Sequence, residues 1–387
     1  MDTLFYWPAC YHPCGEFSSI YYVEETNLSG VELGMNVKLL KIHEDKHAGS
    51  NGGHCLADAG FGAGYASVAE KEPFSEPRAR RIGRFEAFAP LTLETKALYD
   101  RYAEFLPGAL TSPLYFQGLY AWNFASVNRY KIFGEHLCIA ADDKMAGKIF
   151  ALPPLGVSDN DSFSSAVNAM LSEFERESLP CAFHEVPGFM LPKFYGLNDF
   201  IAESSYERDW SDYVFRGKDF AEGLQKKSSK EARRSFEHRF RPSVREIAPS
   251  DKEAVLAVTR KFFCEERICA DCFCGCELKV VSRTMEGWEK LGMKGVVVES
   301  EGEAIAFGTV CFQKDTMLFL KKKARRRTRG LNEYLNAVLM DSFGGGCEYV
   351  NYSDDMGSEG LRAQKSRMGR YFLSPRYVVK LSREKRT

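Results

Sequence analysis

Asp355 and Glu359 stand four residues apart, so one helical turn can present both carboxylates near its start. Arg362 and Lys365 follow one turn later, and Tyr352 precedes them. Either carboxylate could act as base toward an attacking amine or hydroxyl, and Tyr352 could protonate a leaving group. Plainer uses stay open. Glu359 could help cap the helix, Arg362 and Lys365 could pair with Asp355 instead of a phosphate or ribose oxygen, and Tyr352 could pack. All 7 histidines lie at or before His238, and the one cysteine between Met317 and Met368 is Cys347, in an apolar run. A Ser-His-Asp or Cys-His constellation is therefore excluded from this stretch. Carboxylate, phenol and cation remain, a set suited to direct acyl transfer onto an amine or hydroxyl that attacks a bound ester.

The elements around these residues favour an anion. Met317 to Leu320 reads as a buried strand, followed by a basic loop of Lys321, Lys322, Lys323, Arg325, Arg326, Arg327 and Arg329 with no acid among them. Gly330 opens a helix whose Leu331, Leu335, Val338 and Leu339 recur at helical spacing, and Gly344 to Gly346 end it. Tyr349 and Val350 resume a strand, and another helix begins near Ser358. A strand-to-helix turn of this kind aims backbone N–H groups and the helix dipole at one point. Lys322, Arg327, Arg329 and Gly330 are thus candidate contacts to a phosphate-bearing substrate, with a solvated loop as the alternative. A second basic element, read as a helix from Lys226 to Arg241, carries Lys226, Lys230, Arg233 and Arg234 and turns Phe236 and Phe240 inward. The two basic segments could line one polyanion groove.

The order strand, Arg-x-x-Gly, helix, strand, helix resembles the core of GNAT-type N-acyltransferases, whose comparable turn holds the pyrophosphate of acyl-CoA. Arg327 and Gly330 match that turn, and Asn332 stands where a small residue is expected. A more specific resemblance lies in VNYSDDMGSEGLRAQKSRMGRYFLSPRYVVKL. It is similar to the C-terminal signature of the phosphatidylglycerol lysyltransferase C-terminal domain family, through Asn351, Asp355, Gly357, Gly360, Leu361, Arg362 and Lys365. WSDYVFRGKDFAEGLQKKSSKEARRSFEHRF and LYAWNFASVNRYKIFGEHLCIAADD resemble earlier parts of that family. The resemblance implies an α/β (α+β) fold of two tandem GNAT-like domains, each with a mixed central sheet, similar to the Fem-type peptidoglycan aminoacyltransferases. It implies an aminoacyltransferase that takes its acyl group from aminoacyl-tRNA. The acceptor would be a lipid headgroup or a small amine or hydroxyl. An acyl-CoA-dependent N-acyltransferase and a non-catalytic RNA- or membrane-surface-binding protein of the same fold are the alternatives.

The expected division is a poorly ordered extension over residues 1–84, a first GNAT-like domain over 85–215, and a second over 216–387 that carries the donor site. Within the first domain, Leu91 to Leu106 reads as a helix, YKIFGEHLCIAAD and KMAGKIFALPPL as two strands across an Asp142-Asp143 turn, and Ser164 to Glu177 as an amphipathic helix. With 387 residues, 44% hydrophobic and 27% charged, the chain reads as globular, and its net charge of −1 makes the basic stretches local features. No apolar run is long enough for a membrane span and no export signal is evident, so cytoplasmic residence with at most peripheral membrane contact is expected. Disulfides are then not expected among the 12 cysteines, and Cys138, Cys181, Cys311 and Cys347 read as core residues. Cys269, Cys272, Cys274 and Cys276 are close enough to hold zinc, copper or a cluster, but no metal and no cofactor is expected. The same holds for Cys10, His12, Cys14, His43, His47, His54 and Cys55, whose spacing fits no finger.

Overall fold

The computed structural model describes residues 85–106, 111–144, 146–157, 159–264 and 276–383, which belong to one compact unit. The expectations for residues before 85 and for Cys269, Cys272 and Cys274 lie outside the described residues.

Among the described residues, fifteen strands form two mixed sheets. They are β1 (Ala89–Pro90), β2 (Ser126–Phe133), β3 (His136–Asp143), β4 (Lys148–Ala151), β5 (Leu155–Gly156), β6 (Ala182–Pro187), β7 (Phe200–Tyr206), β8 (Asp212–Arg216), β9 (Ser243–Glu246), β10 (Lys294–Ser300), β11 (Glu303–Gln313), β12 (Thr316–Ala324), β13 (Tyr349–Asn351), β14 (Tyr371–Ser374) and β15 (Arg376–Arg383). The first sheet has the order β1-β2-β3-β4-β6-β15-β7, with β5 beside β3; the second runs β14-β8-β13-β12-β11-β10-β9. The helices are α1 (Lys96–Ala103), α2 (Phe116–Ala121), α3 (Asn160–Arg176), α4 (Leu191–Tyr195), α5 (Gly217–Leu224), α6 (Lys227–Phe240), α7 (Lys252–Thr259), α8 (Glu277–Glu286), α9 (Leu331–Phe343) and α10 (Glu359–Met368).

Both sheets use one device. A parallel pair, which needs a long crossover, is joined by a helix: β4 to β6 through α3, and β12 to β13 through α9. All other pairings of the described strands are antiparallel. Val296, Val297 and Val298 of β10 are all fully buried, as a central strand covered on both faces requires. On α9 the buried positions Leu331, Leu335 and Leu339 repeat every turn. Strand β8 spans residue 215 and lies in the second sheet, whereas the C-terminal β15 returns to the first, between β6 and β7.

Three elements differ from expectation. YKIFGEHLCIAAD, read as one strand, folds back as a hairpin between β2 and β3. Gly134, at φ +57°, turns the chain so that Phe133 pairs with His136. β12 runs on to Ala324, so Lys321, Lys322 and Lys323 belong to a strand and not to a loop. The helix placed over Leu91 to Leu106 begins as a 3-10 turn at Leu93–Thr95 before α1.

Candidate functional site

β12 and β13 pair only from Thr316–Tyr349 to Leu318–Asn351 and then part. β12 continues along β11, while the chain after Asn351 turns away. Tyr352 fills the divergence, its ring 4.9 Å from that of Phe319 and 5.7 Å from that of Phe220. Side chains of a strand alternate between faces, and this decides the fate of the lysine run. Lys321 and Lys323 turn to one face and share Glu277 at 3.2 and 3.5 Å. Lys322 turns to the other, where its ammonium nitrogen donates to Asn336 Oδ1 at 2.5 Å and to the hydroxyl of Tyr352. That hydroxyl donates in turn to Asn336 Oδ1 at 3.0 Å. Burial, helped by the nearby charge of Lys365, brings the Lys322 amine down to about 7, and burial raises the Tyr352 phenol. An amine that exchanges its proton near neutrality thus touches a phenol where the two strands separate.

Asp355 and Glu359 are not brought together. Glu359 is exposed in the first turn of α10, where Ser358 is the cap, accepting from the Leu361 N–H at 3.4 Å. Asp355 is fully buried and accepts from Tyr213 Oη (2.7 Å), Arg208 Nη1 (3.1 Å), Arg362 Nε (3.1 Å) and the Gly357 N–H (3.0 Å). Burial alone would raise its pKa, but these donors outweigh it and hold the carboxyl well below the usual range. A carboxylate so held has little affinity for a further proton. Arg362 also reaches Asp209 at 2.8 Å. Lys365 is buried and donates to the carbonyls of Tyr352 (2.6 Å), Ser353 (3.0 Å) and Asp354 (2.5 Å), so it pins the loop that presents Tyr352. Burial lowers this amine too, to about 8.

The start of α9 has a packing origin. Gly330 sits at φ +85°, and a Cβ there would come within 2.1 Å of the Ala232 carbonyl oxygen of α6. The missing side chain therefore admits helix α6, not a ligand. Arg327, Arg329 and Asn332 are exposed beside this crossing. On α6 and just before it, Lys226 and Arg234 are exposed and Lys230 and Arg233 half-buried; Lys226 donates to the Arg367 carbonyl at 2.9 Å. Lys230, Arg233, Arg234, Arg327 and Arg329 form no ion pair or side-chain hydrogen bond among the described residues.

Asn351 belongs to a second centre that the sequence did not reveal. Its Nδ2 donates to Asp212 Oδ2 at 3.0 Å. Asp212 also accepts from Ser112 Oγ at 2.9 Å and from Arg376 Nη2 at 2.5 Å. Arg376, only 3% exposed, further reaches Asp354 at 3.0 Å and Glu185 at 3.1 Å. Burial raises the Glu185 and Asp354 carboxyls, partly offset by Arg376. Arg208, Tyr213, Asp212 and Glu185 share no local spacing with the C-terminal motif, and Arg376, though inside the quoted stretch, is not among its matching positions. Only co-variation between distant positions could have joined them.

This motif, which looks so local in sequence, is therefore the meeting point of strands from both sheets, a design best tested against other chains. A conserved protein of unknown function from Bacteroides thetaiotaomicron VPI-5482 has a similar structure: TM-score 0.67 and 18% identity over 76% of this chain and 99% of that one. The C-terminal domain (DUF2156) of a protein designated a lysylphosphatidylglycerol synthetase in Agrobacterium fabrum follows at TM-score 0.52 and 12% identity, covering 73% and 91%. L-PGS from Bacillus licheniformis gives TM-score 0.50 and 12% identity, covering 75% and 92%. At such identities the likeness establishes the fold alone: a mixed α/β fold built on two mixed sheets. No curated protein matches the chain. The family described as "Phosphatidylglycerol lysyltransferase, C-terminal" matches residues 110–380, which takes in most of both sheets, the β12–β13 divergence and the Asp355 motif, so the chain belongs to that family.

Proposed function

We propose that this protein is an aminoacyltransferase that moves an aminoacyl group from aminoacyl-tRNA to the amine or hydroxyl of a lipid headgroup or small acceptor. Membership of a transferase family supports the class. The observation that carries the reading is the Lys322–Tyr352–Asn336 contact at the divergence of β12 and β13. The acceptor's nitrogen or oxygen attacks the ester carbonyl, a new C–N or C–O bond forms, and the bond to the ribose oxygen breaks. Neutral Lys322 takes the acceptor's proton. Tyr352 gives its own proton to the leaving ribose oxygen and is reprotonated by Lys322. Asn336 orients both groups, and Asp355, Arg362 and Lys365 hold the Tyr352 loop in place.

The test incubates the full chain with a labelled pool of aminoacyl-tRNAs and, in separate arms, phosphatidylglycerol vesicles, soluble diols and soluble amines. Label should move to one acceptor class, and Lys322→Met should reduce the rate by a factor of about 100 or more, as expected on removal of a general base. Consumption of acetyl-CoA with the same acceptors, and none of any charged tRNA, sinks the reading.

A further inference from the structure

Five cations of α6 and of the turn before α9 differ from the ion-paired cations around them. Lys321 and Lys323 are held by Glu277, Arg362 by Asp355 and Asp209, and Arg245 by Asp251 and Glu299. Lys230, Arg233, Arg234, Arg327 and Arg329 lie on the two segments that meet at the Gly330–Ala232 crossing, with no such partner among the described residues. Beside them, between α6 and α9, runs a groove of about 280 Å³. Arg233 and Arg234 stand over it, Tyr334 contributes a ring, and Gln225, Glu237 and Asp341 supply polar edges. The Tyr334 ring is backed by Phe236, with centroids 5.1 Å apart.

We propose that this crossing seats the single-stranded end of an RNA, with phosphates on Lys230, Arg233, Arg234, Arg327 and Arg329 and one base in the groove against Tyr334. The mixed charge of the groove fits this division. Glu237 and Asp341 repel a phosphate placed inside but accept hydrogen bonds from the exocyclic amino groups of a base. A backed aromatic ring beside arginines is a platform on which a base stacks. Tyr334 and Asn336 lie two positions apart on α9, so they face nearly opposite sides of the helix. The groove therefore lies about one helix diameter, ~10 Å, from the Lys322–Tyr352 contact. It holds a nucleotide behind the reacting end and not the reacting end itself. The choice of RNA rests on the reading of the donor as aminoacyl-tRNA.

The experiment measures binding of an uncharged RNA hairpin, with and without a single-stranded 3′ tail, to the full chain across salt concentrations. With five phosphate contacts the log–log salt slope of the tailed hairpin should be about −3.5, falling to about −2 in the Arg233→Glu/Arg234→Glu variant. Tyr334→Ser should weaken the tailed hairpin about tenfold and leave the blunt one unchanged, while Tyr334→Phe keeps wild-type affinity. Thermal melts check that each variant is folded; if Tyr334→Ser is not, the arginine pair decides alone. Equal binding of tailed and blunt hairpins by all variants overturns the proposal, as does binding of anionic vesicles but no RNA. Tail-dependent binding without transfer from any charged tRNA would support this interface and sink the donor reading. Normal transfer by the arginine variant, with unchanged hairpin affinity, would do the opposite.

Discussion

At the scale of residues, the proposed chemistry turns on where Lys322 points. In sequence it is one of a basic run, which is why it reads there as a phosphate contact. The alternation of a strand separates it from its neighbours and buries its amine against Tyr352 and Asn336. That amine's pKa falls from 10.5 to about 7 on folding. Between those values the unfolded chain binds a proton that the folded chain does not, so stability should rise with pH through that window. Lys365, lowered to about 8, adds to the same rise from a higher starting point. Urea melts from about pH 6.5 to about 9.5 should show the rise, and Lys322→Met should shrink it. An identical pH dependence in the variant would mean that Lys322 is solvated. Asp355, by contrast, was legible as important and illegible in role. The motif names it, but the donors that hold it as an ion, Arg208 and Tyr213, come from more than a hundred positions away.

At the scale of elements, the crossing of α6 over α9 hinges on Gly330. Alanine there meets two penalties, a left-handed backbone and a Cβ within 2.1 Å of the Ala232 carbonyl oxygen. Gly330→Ala should cost about 3 kcal/mol or more by denaturant melting. Gly345→Ala, at a site with ordinary φ and open space, should stay within about 0.5 kcal/mol. Equal stability of the two variants would show that α6 does not press on the start of α9. The helices were largely legible because their apolar residues recur each turn: α3, α6 and α9 lie within a few residues of their expected ends. What failed was punctuation. A Gly-Glu pair inside an apolar run hid the β2–β3 hairpin, and lysines at the end of β12 looked like loop because charge is rarely assigned to a buried sheet. A lysine can remain in a strand when its neighbours supply a carboxylate or a polar cage; Glu277 does so from α8 and Asn336 from α9, the helix that follows β12.

At the scale of the whole molecule, two sheets are joined by the last strand and by one arginine. Arg376 opens β15 in the first sheet and binds Asp212 of β8 in the second, Glu185 of β6 in the first, and Asp354 of the loop after β13. The apolar interior reinforces the link: Phe307, Cys311 and Leu318 of the second sheet share one core cluster with Phe88, Tyr99, Leu155 and Val379. The sequence suggested two similar halves but not this return, since a strand's pattern says which face is buried and not which sheet receives it. Arg376 Nε is buried without a hydrogen-bond partner among the described residues, so the clamp carries a cost of its own and persists through its other four contacts. Removing it leaves three carboxylates without their shared cation. Arg376→Met should therefore destabilise the chain by about 3–5 kcal/mol, and Asp354→Asn added to it should recover part of that loss. The position of the clamp also makes the unfolding of the two sheets one event in the wild type. Melts followed by far-UV circular dichroism and by tryptophan fluorescence should coincide. If they separate in the wild type, or if Arg376→Met leaves the midpoint in place, the sheets are stable independently and the Tyr352 loop is held from the second sheet alone.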